Sequence, residues 1–414
     1  MRVVSSDDDD DVDMLWTEAG STASSQVESS DEEDDEGEYP VNVDPFIVDH
    51  SYLGDDLTVA TTSTSAHFTP GSLVAMPLVW LPNVVIFPGE TLPLRMLATS
   101  TLQLMTTRLR NGDDTFALIN ANIPRHVGTV IQIERMYEYG DQHLSIVGRG
   151  RQRFELVDRV SLHHTMGQFM EGVSAQVRIL PDFHAMPCPM PINFRRGGPS
   201  SSLKRRRPSL VAYWGPQQYM QFDGPSLVYQ AKSILLQSVE YHAFMASTTN
   251  STSSAAMSAP SDPTRFSYWL AAHLNLGLAT RQRLLATSCV VGRLRALIEW
   301  LHHQSAVIQC SGCATTLAHT RAIFLKQDAD HGGPASTFVN PYGAIHQILT
   351  MLAVERATYD PVGTPSLADT WFPGYTWQCI SCVQCATFLG WRYVSTVEQA
   401  HPRVFFGLLR NAIG

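Results

Sequence analysis

"TWFPGYTWQCISCVQC" spans residues 370–385 and carries two tryptophans, Trp371 and Trp377, and three cysteines, Cys379, Cys382 and Cys385. Two overlapping C-x-x-C pairs can be drawn from those cysteines. A further pair, "CSGC", lies upstream at Cys310 and Cys313. Two such knuckles, about 65 residues apart in one β-patterned segment, supply four thiolates, the donor set zinc takes in closed tetrahedral sites. A closed site leaves no position for substrate, so the metal reads as a structural staple that contributes folding free energy. Redox-active dithiols compete for the same motif, and spacing leaves open which downstream cysteine is spare. Cys188 and Cys289, outside these clusters, read as a loop and a core residue.

Trp371, Trp377 and Trp391 fall within 21 residues. "FPGY" (372–375) is a turn that brings the rings of the first two face to face. In "FLGWRYV" (388–394), strand alternation sets Leu389, Trp391 and Tyr393 on one face and Gly390 and Arg392 on the other. Rings so placed either fill a core or form a rigid aromatic pocket. A turn tip is a poor place for core residues, and aromatic cages suit cations or flat small ligands.

Around this stretch the chain is uneven. Its 414 residues suffice for two or three domains. The net charge of −10 is concentrated at one end: residues 1–40 hold 15 acids and one arginine, a balance of −14, so the rest sums to +4. Residues 1–45 are expected to be a disordered acidic arm, with serines beside acids open to phosphorylation. The start "MRVVSSDDDDD" lacks the cationic and apolar segments of a signal peptide. No apolar run approaches the roughly 18 residues of a membrane span. The expectation is a soluble intracellular protein.

Residues 71–180, with stretches such as "MPLVWLPNVVIFPGETLPLRM" (76–96), read as short strands and tight turns. They imply a barrel or sandwich with one helix near 98–110. Residues 184–215 are a Pro, Gly and Ser-rich insertion. Its "KRRR" (Lys204 to Arg207) matches a nuclear-import or nucleic-acid patch, although a solvated loop is the favoured reading. Residues 216–305 carry helical spacing. Ser261 or Asp262 caps a helix with Pro263 in its first turn. Leu284, Leu285, Val291, Leu294, Ile298 and Leu301 make one stripe over 280–303. His302 and His303 read as last-turn surface residues suited to the helix dipole. From 306 the chain is β-patterned again.

The stretches "CSGC", "FVNPYGAIHQILT", "WFPGYTWQ", "CVQCA", "GWRYV" and "FFGLLR" together resemble the C-terminal domain of the cereblon family, thalidomide-binding substrate receptors of cullin–RING ubiquitin ligases. Upstream, "MPLVWLPNVVIFPGETLPLRM" and "RFSYWLAAHLNLGLATRQRLLATSCVVGRLRALIEWL" resemble a Lon-protease-type N-terminal domain, and "HSYLGDD" (50–56) resembles the segment before it. The chain has no Gly-Lys dipeptide, hence no phosphate loop of a Lon ATPase. The resemblance implies an α+β multidomain fold. A Lon-type N-terminal β domain (46–215) with a helical bundle (216–305) precedes a mostly β, zinc-stapled domain (306–414) of two antiparallel sheets.

Aligned on "WFPGYTW" and "GW", the family's zinc ligands fall on Cys310, Cys313, Cys382 and Cys385, leaving Cys379 extra. Its cage tryptophans fall on Trp371, Trp377 and Trp391, with Tyr393 where the family usually has phenylalanine. Asn340 and Pro341 belong to a pocket-flanking loop. Asp369 stands where the family has histidine and Tyr342 where histidine is expected; backbone groups at 369 bind the glutarimide ring in that family. The resemblance implies a receptor without catalytic residues and with one structural Zn2+. It would recognise cyclic-imide degrons or thalidomide-like ligands and recruit proteins for ubiquitination and proteasomal degradation in cytoplasm and nucleus. Its helical segment would dock on the damaged-DNA-binding adaptor of the cullin 4 ligase, with no direct nucleic-acid contact. Two other readings compete: a B-type methionine sulfoxide reductase-like zinc enzyme, with Cys379 as the spare thiol, and a zinc-stabilised interaction module without a small ligand.

Overall fold

The computed structural model describes residues 47–48, 50–54, 58–59, 67–97, 99–120, 127–139, 143–157, 173–184, 219–237, 259–303, 305–324, 327–328, 336–398 and 400–414. The acidic arm, Cys188, Lys204 to Arg207 and nearly all of the 184–215 insertion lie outside these residues.

Strand β1 (Ile47–Val48) comes first, then β2 (Thr58–Val59), β3 (Leu73–Leu81), β4 (Thr91–Met96), helix α1 (Thr99–Arg110), β5 (Thr115–Asn120), β6 (Val127–Tyr139), β7 (His143–Leu156) and β8 (Val173–Ile179). The sheet order is β2-β6-β5-β3-β8-β7-β4, and β6 also pairs with β7. That extra pairing closes β6, β5, β3, β8 and β7 into a barrel, as closure removes open edges. Both faces of β3 are packed, which is why its sequence runs apolar instead of alternating cleanly. Met76 and Leu78 join Phe154 and Val177 in one cluster, while Val79 and Leu81 join Ile131, Leu94 and the α1 residues Leu102 and Met105 in another.

The helical segment comprises α2 (Gly224–Gln237), α3 (Pro263–His273), α4 (Leu278–Ala286) and α5 (Val290–His303). Asp262 caps α3 by accepting from the Arg265 amide at 2.9 Å, with Pro263 in the first turn. The stripe expected as one helix over 280–303 is instead divided between α4 and α5. The cause is distant in sequence: Phe183 bridges to Cys289, its amide donating to the Ser288 carbonyl and its carbonyl accepting from Val290. Those groups are then unavailable to a continuous helix. All six stripe residues are nevertheless buried.

The C-terminal part adds β9 (Val307–Gln309), β10 (Thr316–His319), β11 (Gln327–Asp328), β12 (Thr337–Val339), β13 (Ile345–Met351), β14 (Tyr359–Ser366), β15 (Tyr375–Cys382), β16 (Phe388–Ser395) and β17 (Val404–Leu409). It holds a six-stranded antiparallel sheet, order β12-β13-β17-β16-β15-β14, and an antiparallel β9–β10 pair. β1 adds in parallel to β11. The architecture is therefore α+β, a closed β barrel with helices followed by a mostly β domain.

Residues 41–414 form one unit. One apolar cluster runs from Leu270, Leu285 and Leu294 in the helices to Met351, Ile380, Leu389 and Leu408 in the sheet. Polar bonds cross the same seam. Arg410 donates to the carbonyls of Leu274 (2.7 Å) and Ala272 (3.1 Å). Gln347 donates to the Val85 carbonyl at 3.2 Å, and the Ser336 hydroxyl to Glu90 at 2.9 Å. Glu90 is fully buried and pairs with buried Arg281 at 2.9 Å. A buried carboxylate persists only when paired and hydrogen-bonded in this way. Burial, with neighbouring Arg281 a smaller cause, brings Arg410 down to about 9.

Candidate metal centre and aromatic cage

Four thiols converge where β9 turns into β10 and β15 turns into β16. The sulfurs of Cys310, Cys313, Cys382 and Cys385 all lie within 4.8 Å of one another. Cys310 is 3.5 Å from Cys385, and Cys313 is 3.6 Å from Cys382. A tetrahedron with metal–sulfur bonds of ~2.3 Å has edges of roughly 3.8 Å, so the separations fit a four-thiolate metal.

The two knuckles are copies of one another, written "CSGCAT" (310–315) and "CVQCAT" (382–387). In each, the Ala amide donates to the first cysteine's carbonyl at 2.8 Å, and the first cysteine's amide donates to the Thr carbonyl, at 2.9 and 2.8 Å. Ala314 and Ala386 both take the left-handed conformation, φ 58° and 57°. The hydroxyls of Thr315 and Thr387 each lie 3.1 Å from the second cysteine's sulfur. That contact lowers the Cys313 thiol and brings Cys385 down to about 6, while burial pushes Cys382 up to about 11. The repeated Ala-Thr was readable in the sequence and marks the knuckles more sharply than the cysteines alone.

Cys379 is outside the cluster. Strand parity puts it on the opposite face of β15 from Cys382, opposite Trp391 in the register. Burial raises its pKa.

That opposite face carries the aromatic residues. Trp371 and Trp391 meet at 4.8 Å and 70°. His346, from β13, lies 5.6 Å from Trp371 and 5.1 Å from Trp391, so the three rings make a triangle. Phe388 meets Trp391 edge-on at 5.3 Å, and Phe338 stacks against Trp371 at 5.1 Å. Sequence reasoning passed over His346 and Phe388. The signal for His346 was alternation along β13, which sets it opposite Phe338.

Trp377 belongs to the same cluster, but among the described residues it shares no ring contact with Trp371. The "FPGY" turn closes through the Tyr375 amide and Phe372 carbonyl at 3.0 Å, yet Trp371 faces Trp391 and His346. The indole N–H of Trp377 donates to the Ala368 carbonyl at 2.7 Å, and that of Trp371 to the Val339 carbonyl at 3.0 Å.

Tyr393 departs from its expected place in the wall. It is 1 % exposed, stacked on Phe405 at 4.7 Å and set edge-on to Phe372 at 4.8 Å, so it forms the layer beneath the cage. Leu389 also leaves the expected face. The register shifts between Ile380↔Gly390 and Ser381↔Phe388, and this bulge sends Leu389 into the seam core with Ile380. Trp391 and Tyr393 keep the face that alternation assigned them.

Asp369 is exposed and left-handed, φ 54°, in the turn before Trp371. Asn340 spends its side chain on its own loop, Oδ1 accepting from the amides of Tyr342 (3.0 Å) and Ala344 (2.8 Å). The Pro341 carbonyl accepts from Arg95 of β4 at 3.4 Å. Tyr342, at 83 % exposure, stands free at the tip.

Residues 75–303 match the family model of the ATP-dependent protease La (LON) substrate-binding domain, and residues 306–414 match that described as Yippee zinc-binding/DNA-binding/Mis18, centromere assembly. The first match covers more than half of the chain, and the chain belongs to the LON substrate-binding domain family. It resembles cereblon along its length. It is 27 % identical to protein cereblon of Xenopus tropicalis, covering 100 % of this chain and 91 % of the relative. It is 26 % identical to protein cereblon of Danio rerio, covering 94 % and 91 %. Among solved structures, a Lon N-terminal domain protein from Xanthomonas campestris aligns at 21 % identity, covering 55 % of this chain and 98 % of that one with a TM-score of 0.32.

Proposed function

We propose that this protein is a substrate receptor of a cullin–RING ubiquitin ligase that binds a flat cyclic imide in the Trp371, Trp377 and Trp391 cage. The observation that carries the reading is the tight, half-open group of rings standing on a fully buried aromatic layer. Rings so supported exclude water without having to reorganise. An imide is neutral and planar, with alternating acceptor and donor atoms along one edge. It suits indole faces on its flat sides and main-chain groups at its edge, here those of the left-handed turn at Asp369. A cyclised asparagine or glutamine at a protein C-terminus presents this group, as does a thalidomide-like drug.

One Zn2+ held by Cys310, Cys313, Cys382 and Cys385 would supply cross-linking and no chemistry. The knuckle residues then hold the turn from β15 to β16, and with it Trp391, in place. The helical segment would dock on the damaged-DNA-binding adaptor of the cullin 4 ligase. Tyr229 and Leu236 on α2, with Tyr219 and Met220 just before it, are 57 to 76 % exposed and supply the apolar face such docking needs. Bound protein is thereby held near a ubiquitin-conjugating enzyme, and transfer gains from proximity. The work would take place in cytoplasm and nucleus.

The test is a titration of the full chain with glutarimide, followed by tryptophan fluorescence. The wild type is expected to show a saturable change, and Trp391→Ala to lose binding by at least about tenfold, one aromatic contact's worth. A silent wild type, or equal binding by the variant, overturns the reading.

A further inference from the structure

One of the three rings in the cage triangle is an imidazole. We propose that His346 is a titratable wall of the cage, so that a neutral flat ligand binds against the neutral imidazole and is expelled as that ring gains a proton. This rests on the imide-binding reading above and adds to it a charge gate and a proton released on binding.

The geometry puts His346 where a ligand must meet it. Its ring lies 5.1 Å from Trp391 and 5.6 Å from Trp371, while those indoles lie 4.8 Å from each other. A ligand resting against both tryptophans on the imidazole's side covers part of that ring. The indole N–H groups of Trp371 and Trp377 are already engaged by the carbonyls of Val339 and Ala368. Among the described residues no hydrogen bond reaches the His346 ring, which is partly exposed.

The imidazole is already half-way to a dry environment. Burial alone lowers its pKa. No neighbouring charge offsets this. The ionisable groups on the surrounding elements are Asp369 in the turn before Trp371, Cys379 and Tyr393 on the same sheet face, and Tyr342 at the adjoining loop tip. His50 and Tyr52 lie against Phe338; Arg392 is on the opposite face of β16, and Arg95 binds the Pro341 carbonyl. None of them acts on the shift. An indole face attracts a cation, while burial disfavours the charged ring and lowers its pKa. Covering the ring with a neutral ligand deepens that desolvation and disfavours the imidazolium further. The sign follows: the complex binds fewer protons than the free protein, so affinity rises with pH through the histidine's range and levels off above it.

The experiment is calorimetric titration of the full chain with glutarimide between about pH 5.5 and 8, in paired buffers of different ionisation enthalpy. The wild type should bind with a dissociation constant that is flat near neutrality. On the acid side it should rise toward about tenfold per pH unit, with up to one proton released. His346→Gln and His346→Phe should show a flat profile and no proton release at whatever affinity they retain. Asp369→Asn should keep the wild-type slope, which separates the histidine from the carboxylate in the turn before Trp371. A flat wild-type profile overturns the inference without recourse to any variant, and so does an unchanged slope in His346→Gln. Absence of binding at every pH overturns the imide reading itself, and the gate with it.

Discussion

The two faces of strand β15 have the same backbone and opposite chemistry. On one face Ile380 and Cys382 point into the seam core, and Cys382 closes the four-sulfur cluster. On the other, Trp377 and Cys379 stand beside Trp391, half-buried at the side of the sheet that carries the ring triangle. Cys382 stands three positions after Cys379, an odd offset, and a period of two therefore assigns them to different environments. The difference teaches that a C-x-x-C count is an incomplete description of a strand. Parity decides which thiol joins the four-sulfur cluster and which stands with the aromatic rings.

Substitutions can break this contrast, beginning with the largest expected effect. Cys382→Ser removes a ligand on the buried face. Structural zinc contributes on the order of 10 kcal/mol in small zinc modules, so metal content should fall to background and the near-UV dichroism of the C-terminal half should collapse. Retention of one metal equivalent would place the cluster elsewhere. Gly390→Ala strikes between the faces. Gly390 has φ +135°, and a Cβ there would lie 2.1 Å from the Gly407 carbonyl oxygen. The expected cost exceeds about 3 kcal/mol, read as a lowered thermal midpoint with metal still bound. Cys379→Ser is the mildest: metal content unchanged and stability altered by less than about 1 kcal/mol. If that variant loses metal instead, the two-faced account of β15 fails.

Much of this was legible because it is local. The α1 helix, the Asp262 cap and the strands of the barrel follow from periodicity, capping chemistry and turn residues within a few positions of one another. What escaped depended on partners far along the chain. Only Thr287-Ser288, of the kind that caps helices, hints locally at the break between α4 and α5, and Phe183 is what pairs with it. The bulge that turns Leu389 into the seam is a property of the pairing with β15, and no window on β16 alone contains it. Tyr393 alternates correctly with Trp391 yet sinks beneath it, because Phe405 on β17 offers it a stacking partner. His346 lies 25 positions from Trp371, and only the sheet order makes them neighbours. The paired "CAT" endings were in plain view and required only that the two knuckles be set side by side.

Beside the apolar cluster that the Lon-type half and the sheet share, side chains grip main-chain oxygens across the seam: Arg410 on residues 272 and 274, Gln347 on residue 85, Arg95 on residue 341. Every residue type carries that oxygen. The hydrogen bonds therefore constrain the donors by side chain and the receivers only by backbone, while Val85, Ala272 and Leu274 on the receiving side are held by their burial in the shared apolar cluster. A joint of this kind shows its polar half in the donors alone, and its receiving half reads as ordinary core.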